Sequence, residues 1–236
     1  MSSYAAATGL TVAQARPDAR ATFVRKTYAH LALAVAAFAG LEVVLLRSAL
    51  APAMVNFIAA NQYGWLMVLG AFILSGWMAR SLASSVTSVG VQYLGLAIFV
   101  AAEAFIFVPL LYIAAFYSSP EVLPNAVILT GALFLGLTAV AFITRRDFSF
   151  LGGILTIGGF VALGLIVCSV FFGYTLGLVF SVAMVGLASV AILYDTSKII
   201  HHYHPSQHVA AALELFASVA LLFWYVLRIL MSLSRR

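Results

Sequence analysis

Runs of about 20 apolar residues, set apart by short polar breaks, fill most of this chain, and that is the length a helix needs to cross a bilayer. In 236 residues there is room for about seven of them. Inside lipid every backbone N–H and C=O must be satisfied within its own element. The expected fold is therefore an all-α integral membrane protein of seven transmembrane helices. Composition agrees: 8% of residues are charged and 64% hydrophobic, where a soluble domain carries about 25% charged residues. That excludes a soluble enzyme, a nucleic-acid binder and a disordered regulator, and makes the lipid bilayer the first partner. The net charge of +5 reads as membrane topology rather than as a nucleic-acid signal. The one cysteine, Cys168, allows no internal disulfide and reads as core packing.

Residues 1–22 read as a flexible, Ala-rich tail and not as a cleaved signal peptide. Residues 23–236 form a single domain, with spans expected at about 28–46, 65–79, 91–117, 126–144, 150–172, 175–194 and 209–231. Pro52, Asn56, Asn61 and Gln62 mark 47–64 as a loop, with at most an interfacial turn; Pro120 and Pro124 mark 118–125 as a turn. Gly173 and Tyr174 make a tight turn, and 195–208 is a polar loop. With the N-terminus in the cytoplasm, that side receives Arg16, Arg20, Arg25, Lys26, Arg80, Arg145, Arg146 and Lys198. The other side receives Arg47, Arg235 and Arg236, with Arg228 near it, so the positive-inside rule places the N-terminus inside and the C-terminus outside.

An ionisable group at the bilayer centre costs about 2.5–3.5 kcal/mol, so each one needs a reason. In the last span Glu214, Ser218, Leu221, Tyr225 and Arg228 fall in steps of four and three and share one face. A polar stripe of this kind belongs inside a bundle, either as an ion pathway or as inter-helix hydrogen bonds with Arg228 snorkelling to the interface. Asp195 stands at the end of the sixth span, at the mouth of the bundle, behind the small-residue face of Ala191, Ala188 and Ser181. Glu214 lies about five residues, roughly 7 Å, into the next span, so the two carboxylates can meet in one buried, proton-sensitive site. Glu103 lies mid-span and is expected either to be hydrogen-bonded or to face a cavity. Glu42, a turn or two before Arg47, reads as a snorkelled interface acid. His201, His202, His204 and His208 crowd one loop; a solvated polar loop is the reading preferred over a metal site. No cofactor is expected.

Known seven-helix and intramembrane chemistries do not fit. The two lysines, Lys26 and Lys198, lie outside the expected spans, so a retinal Schiff base has no anchor. No span pairs a Gly-x-Ser-Gly nucleophile with a histidine in another helix. Tyr194-Asp195 offers half of an intramembrane aspartyl protease, but the following span holds no aspartate. An enzyme is not expected.

The segment Ile192-Leu-Tyr-Asp-Thr-Ser197, followed by Ala212-Leu-Glu-Leu-Phe-Ala-Ser-Val-Ala-Leu-Leu-Phe-Trp-Tyr-Val-Leu-Arg-Ile-Leu230, resembles the Bax inhibitor-1, or transmembrane BAX inhibitor motif, family. Phe23-Val-Arg-Lys-Thr-Tyr28, Gly76-Trp-Met-Ala-Arg80, and Glu103 with Pro109 extend the resemblance over nearly all of 23–230. It implies six helices packed around a central C-terminal helix. It also implies one of two roles: a pH-gated calcium leak built on an aspartate pair with an arginine latch, or, as in YccA-type members, modulation of the membrane-bound protease FtsH. On that pattern Asp195 is the first aspartate, Ser218 occupies the place of the second, and Arg80 or Ala79 is at the latch. Glu214, one turn earlier on the same face, is the candidate replacement acid, with calcium as the transported ion. A YccA-like member in a bacterial inner membrane is expected, regulating membrane protein quality control with a pH-sensitive ion leak.

Overall fold

The computed structural model describes residues 11–61, 63–83 and 88–234, without the side chain of Trp65. Residues 1–10 of the expected tail, and Arg235 and Arg236, lie outside the described residues. Among those described there are eight helices: α1 (Pro17–Leu46), α2 (Leu50–Ala60), α3 (Gly64–Ala83), α4 (Val89–Tyr117), α5 (Val122–Thr144), α6 (Leu151–Phe172), α7 (Leu178–His201) and α8 (His208–Ser234). All but α2 are long and apolar enough to cross a membrane. The spans alternate in direction, so one face of the bundle, here called proximal, carries the start of α1 and the α7–α8 connection. Two contacts bear this out. The Val12 N–H reaches the Tyr203 carbonyl at 2.8 Å on the proximal face, and the Ser119 and Ser234 hydroxyls meet at 2.5 Å on the distal one.

The helix ends follow local chemistry. Pro17 opens α1, where its missing N–H has no partner to lose, and Asp18 in the first turn suits the positive end of the helix dipole. Phe23, Thr27, Leu31 and Ala34 then form its buried face in steps of four and three. The Ser88 side chain caps α4 by accepting from the Val91 N–H. At the end of α6, Gly173 turns left-handed at φ 71°, a conformation that glycine adopts without a Cβ clash.

Helix α8 is the axis. It packs against α1, α3, α4, α5 and α7, while α6 joins the ring through α7, with Ala162, Met184 and Tyr225 in a shared apolar cluster. Burial ranks the helices accordingly: 72% of the apolar window of α8 and 67% of that of α4 are buried, against 6% for α6. The outer faces present large apolar side chains such as Leu33, Ile143, Phe160 and Val179, which lipid solvates and water would not.

Several boundaries differ from the sequence expectation, for physical reasons. The segment 47–64 holds helix α2, and α5 starts at Val122; Pro52 and Pro124 sit in first helical turns, where proline is tolerated. The tail is not free from residue 11 onward: Val12 is fully buried, and α1 is helical from Pro17. The turn after α6 takes five residues, 173–177, before α7 begins. Helix α3 runs through Arg80 to Ala83. Helix α7 continues to His201, because Thr196, Ser197, Ile199 and Ile200 are buried against the bundle. Asp195 therefore lies inside a helix instead of at its mouth. Glu42 is buried rather than snorkelled, and neither of its carboxyl oxygens finds a hydrogen-bond partner among the described residues. Cys168 is half-buried on peripheral α6, away from the main core.

Helices α3 and α4 approach most closely at Gly95. A Cβ there would stand 2.8 Å from both the Ala79 carbonyl oxygen and the Ala83 backbone nitrogen, atoms that cannot step aside. Gly95→Ala is therefore expected to force the two helices apart and to lower stability by about 1–3 kcal/mol. Thermal unfolding in detergent, read beside Gly136→Ala, where a Cβ meets open space, checks this; equal melting temperatures would refute it.

Candidate functional site

The polar residues of the bundle gather where α3, α7 and α8 meet near the proximal face. Arg80 on α3 places its Nε 3.0 Å from each carboxylate oxygen of Glu214 on α8. One turn deeper the Ser218 hydroxyl donates to the Asp195 carboxylate at 2.5 Å, within the buried interior. By helical rise, Glu214 lies about 9 Å and Ser218 about 15 Å below the start of α8. The two contacts are thus stacked along one face of α8. Their environments differ: the Arg80 and Glu214 side chains are 46% and 25% exposed, whereas Asp195 and Ser218 are buried. Glu214, Lys198 and Arg80 are all close enough to act on Asp195 by charge.

Above the stack lies an open cavity of about 360 Å³, walled by Trp77, Arg80, Tyr203, Gln207, Leu213 and Glu214 among others. Burial raises the Tyr203 hydroxyl above its ordinary range. Below the stack the bundle is sealed. Phe107 stacks on Phe223 with ring centroids 6.0 Å apart and meets Trp224 edge-on at 4.8 Å. Leu110, Leu111, Ile192 and Leu222 fill the space around them.

The structure thus brings Asp195, Glu214, Ser218 and Arg80 together. The replacement acid at 214 is turned to Arg80, and the serine at 218 to Asp195. Ala79, the other latch candidate, is fully buried with no functional group to offer. Glu103 lies on α4, close enough for Arg80 to act on it by charge. It is fully buried, and neither carboxyl oxygen has a hydrogen-bond partner among the described residues, so the hydrogen bond that was one expectation is not made there. Tyr225 is buried lower on the α8 stripe, with Phe180 edge-on at 5.9 Å, and Arg228 is half-buried beyond it.

The four loop histidines scatter. His201 Nδ1 is 3.0 Å from the Ser197 carbonyl, His202 Nε2 is 3.1 Å from Asp147, His204 bonds Ser206, and His208 packs against His30 with ring centroids 5.0 Å apart. Among the described residues no group of three or more His, Cys, Asp or Glu side chains is placed to hold a metal ion.

Two polar ties went unread in the sequence. His30 bridges the Lys26 carbonyl and the Tyr93 hydroxyl, both at 2.7 Å. Asp147 accepts from the Ser149 N–H and faces His202 and Ser197; the Ser149 backbone bond first, then the Ser149 hydroxyl and His202, hold its carboxyl below the usual range. Both join residues far apart in the chain, so no local spacing signals them.

Comparison with known proteins adds identity to this geometry. An uncharacterized protein of Pseudomonas aeruginosa is 39% identical over 110 residues, 46% of this chain and 49% of that protein. Protein lifeguard 4 of Mus musculus is 32% identical over 131 residues, 52% of each chain. A Golgi anti-apoptotic protein of vaccinia virus is 34% identical over 115 residues, 47% of each. The chain spans about half the length of the curated relatives it matches. The family described as inhibitor of apoptosis-promoting Bax1 matches residues 20–235, nearly the whole length, and the chain belongs to that Bax inhibitor-1 family.

Proposed function

We propose that this multi-pass membrane protein is a regulator that leaks cations, calcium among them, when protons release a clamp on its central helix. The observation that carries the reading is the Arg80–Glu214 ion pair standing directly over the buried Ser218–Asp195 contact. Arg80 ties α3 to α8, and Asp195 ties α7 to α8. With both ties in place and aromatic and aliphatic side chains packed below them, the arrangement fits the closed state of this reading. Protonating Asp195 removes the acceptor charge under Ser218. This loosens α8 against the Arg80–Glu214 tie, so the leak opens as pH falls. The distribution of Lys and Arg supports a cytoplasmic proximal face: Arg16, Arg20, Arg25, Lys26, Arg80, Arg145, Arg146 and Lys198 lie there, against Arg47 and Arg228 on the distal side among the described residues. A C-terminus on the outer side follows from this reading, and we place the protein in a bacterial inner membrane by its likeness to bacterial relatives.

Calcium uptake into liposomes holding the purified protein tests it. Flux is expected to rise on acidification, and Asp195→Asn, which keeps the shape and removes the charge, is expected to flatten the pH profile. No flux at any pH would end the channel reading. A partly exposed ion pair contributes at most about 1 kcal/mol. Arg80→Gln is therefore expected to raise the leak at neutral pH by up to about fivefold; an unchanged leak would show that the pair is no clamp.

A second reading, modulation of a membrane-bound protease, is favoured by Ser218. An uncharged hydroxyl stands where a second acid would complete a pair, which weakens the case for a dedicated calcium site. Under this reading the protein co-purifies with the protease, and deleting the gene changes the lifetimes of membrane substrates. Unchanged lifetimes would count against it.

A further inference from the structure

Arg80 reaches Glu214 by a route that depends on a missing side chain. Side chains on a helix lean toward its N-terminus, over the residue one turn earlier. For Arg80 that residue is Gly76, which is buried. The guanidinium lies along the bare backbone there: a Cβ on Gly76 would stand 3.0 Å from Arg80 Nη1 and 3.7 Å from the Phe99 ring. Phe99, fully buried on α4, forms the other wall, with the guanidinium carbon 6.0 Å from its ring centroid. In this slot the arginine points down α3 to the level of Glu214 and presents Nε to both carboxylate oxygens.

We propose that Gly76, with Phe99 as the facing wall, is the positioning residue of the clamp: its lack of a side chain sets where the Arg80 guanidinium rests and hence how firmly α3 holds α8. The assignment rests on the reading of Arg80–Glu214 as a clamp, and it separates position from fold. A Cβ at Gly95 meets rigid backbone, whereas a Cβ at Gly76 meets the far end of a flexible side chain, so the helix accommodates alanine by moving the guanidinium. Alanine is also the better helix former. Gly76→Ala should therefore fold at least as well as the parent while disturbing the ion pair, and Gly76→Leu should disturb it further.

The test reads the guanidinium directly. The full-length protein in detergent is treated with an arginine-selective dicarbonyl reagent, and the rate of Arg80 modification is followed by mass spectrometry. Glu214→Gln defines the rate of the released side chain, expected about fivefold above the parent from the worth of such a pair. Gly76→Ala is expected between the two, and Gly76→Leu close to Glu214→Gln. Gly70→Ala, on the same helix where a Cβ meets open space, is expected to match the parent. Calcium flux of the same variants in liposomes should show the acid-opened leak appearing at higher pH in the order parent, Ala, Leu at position 76. Parental modification rates in both Gly76 variants would overturn the proposal, as would an equal rise in Gly70→Ala, which would mean general loosening of α3. A raised Arg80 rate in the Gly76 variants with no flux at any pH upholds the positioning role and removes the leak, so the two readings fail separately.

Discussion

The bundle is organised around one helix that lipid would not accept. Helix α8 carries Glu214, Ser218, Tyr225 and Arg228 on a single face, and exposing such a stripe to hydrocarbon would cost several kcal/mol. It is therefore central, and two of its five neighbours give it polar partners. Helix α3 supplies Arg80 to Glu214 and α7 supplies Asp195 to Ser218. Helix α6, which has no ionisable residue facing α8, stands at the rim and meets the axis only where Ala162 reaches Met184 and Tyr225. Without a hydrophobic drive between helices in lipid, these few polar contacts and close backbone approaches such as that at Gly95 decide which helix lies beside which.

The two contacts on α8 differ in kind, and the difference follows from depth. The Arg80–Glu214 pair borders the cavity, where water and salt screen it. The Ser218–Asp195 hydrogen bond lies a turn lower, out of reach of solvent, in surroundings where breaking it would leave a buried acceptor unsatisfied. The upper contact therefore exchanges readily with solution conditions, and the lower one holds register. The proximal connection reinforces both. Tyr203 walls the cavity and anchors the segment before α1 through its carbonyl to Val12, so displacement of α8 is felt by the N-terminal segment as well.

How far the sequence disclosed this depended on whether the signal was local. The spans were legible because bilayer thickness fixes a length that a hydrophobic run has to match. The central place of α8 was legible because steps of four and three put 214, 218, 225 and 228 on one face. The depth of Asp195 was not. Residues 195–208 are polar enough to read as loop, and only burial of Thr196, Ser197, Ile199 and Ile200 against other helices carries α7 on to His201. Pro52 and Pro124 read as breakers because sequence alone does not say which proline starts a helix. The clamp between Arg80 and Glu214 joins residues 134 positions apart. Both had been singled out, but their pairing required the fold. Glu42, close to an arginine in the chain, looked like half of an interface pair, yet helix rotation turns it inward.

If the Arg80–Glu214 pair is the proposed clamp, its worth of about 1 kcal/mol governs a helix only where the closed state is itself nearly balanced. Glu103 indicates why it is. Its carboxyl is fully buried on α4, between the level of the polar stack and the Phe107 seal, with no hydrogen-bond partner among the described residues. Buried polar side chains are ordinarily bonded, and one that is not raises the free energy of the state that buries it by about 1–3 kcal/mol. On the proposed reading, a closed bundle that buries this carboxyl without a partner carries a cost that water would relieve, set against apolar packing that water would disrupt. Between two opposed terms of that size a screened ion pair at the proximal face can decide the outcome, which a tightly packed, fully satisfied bundle would not allow.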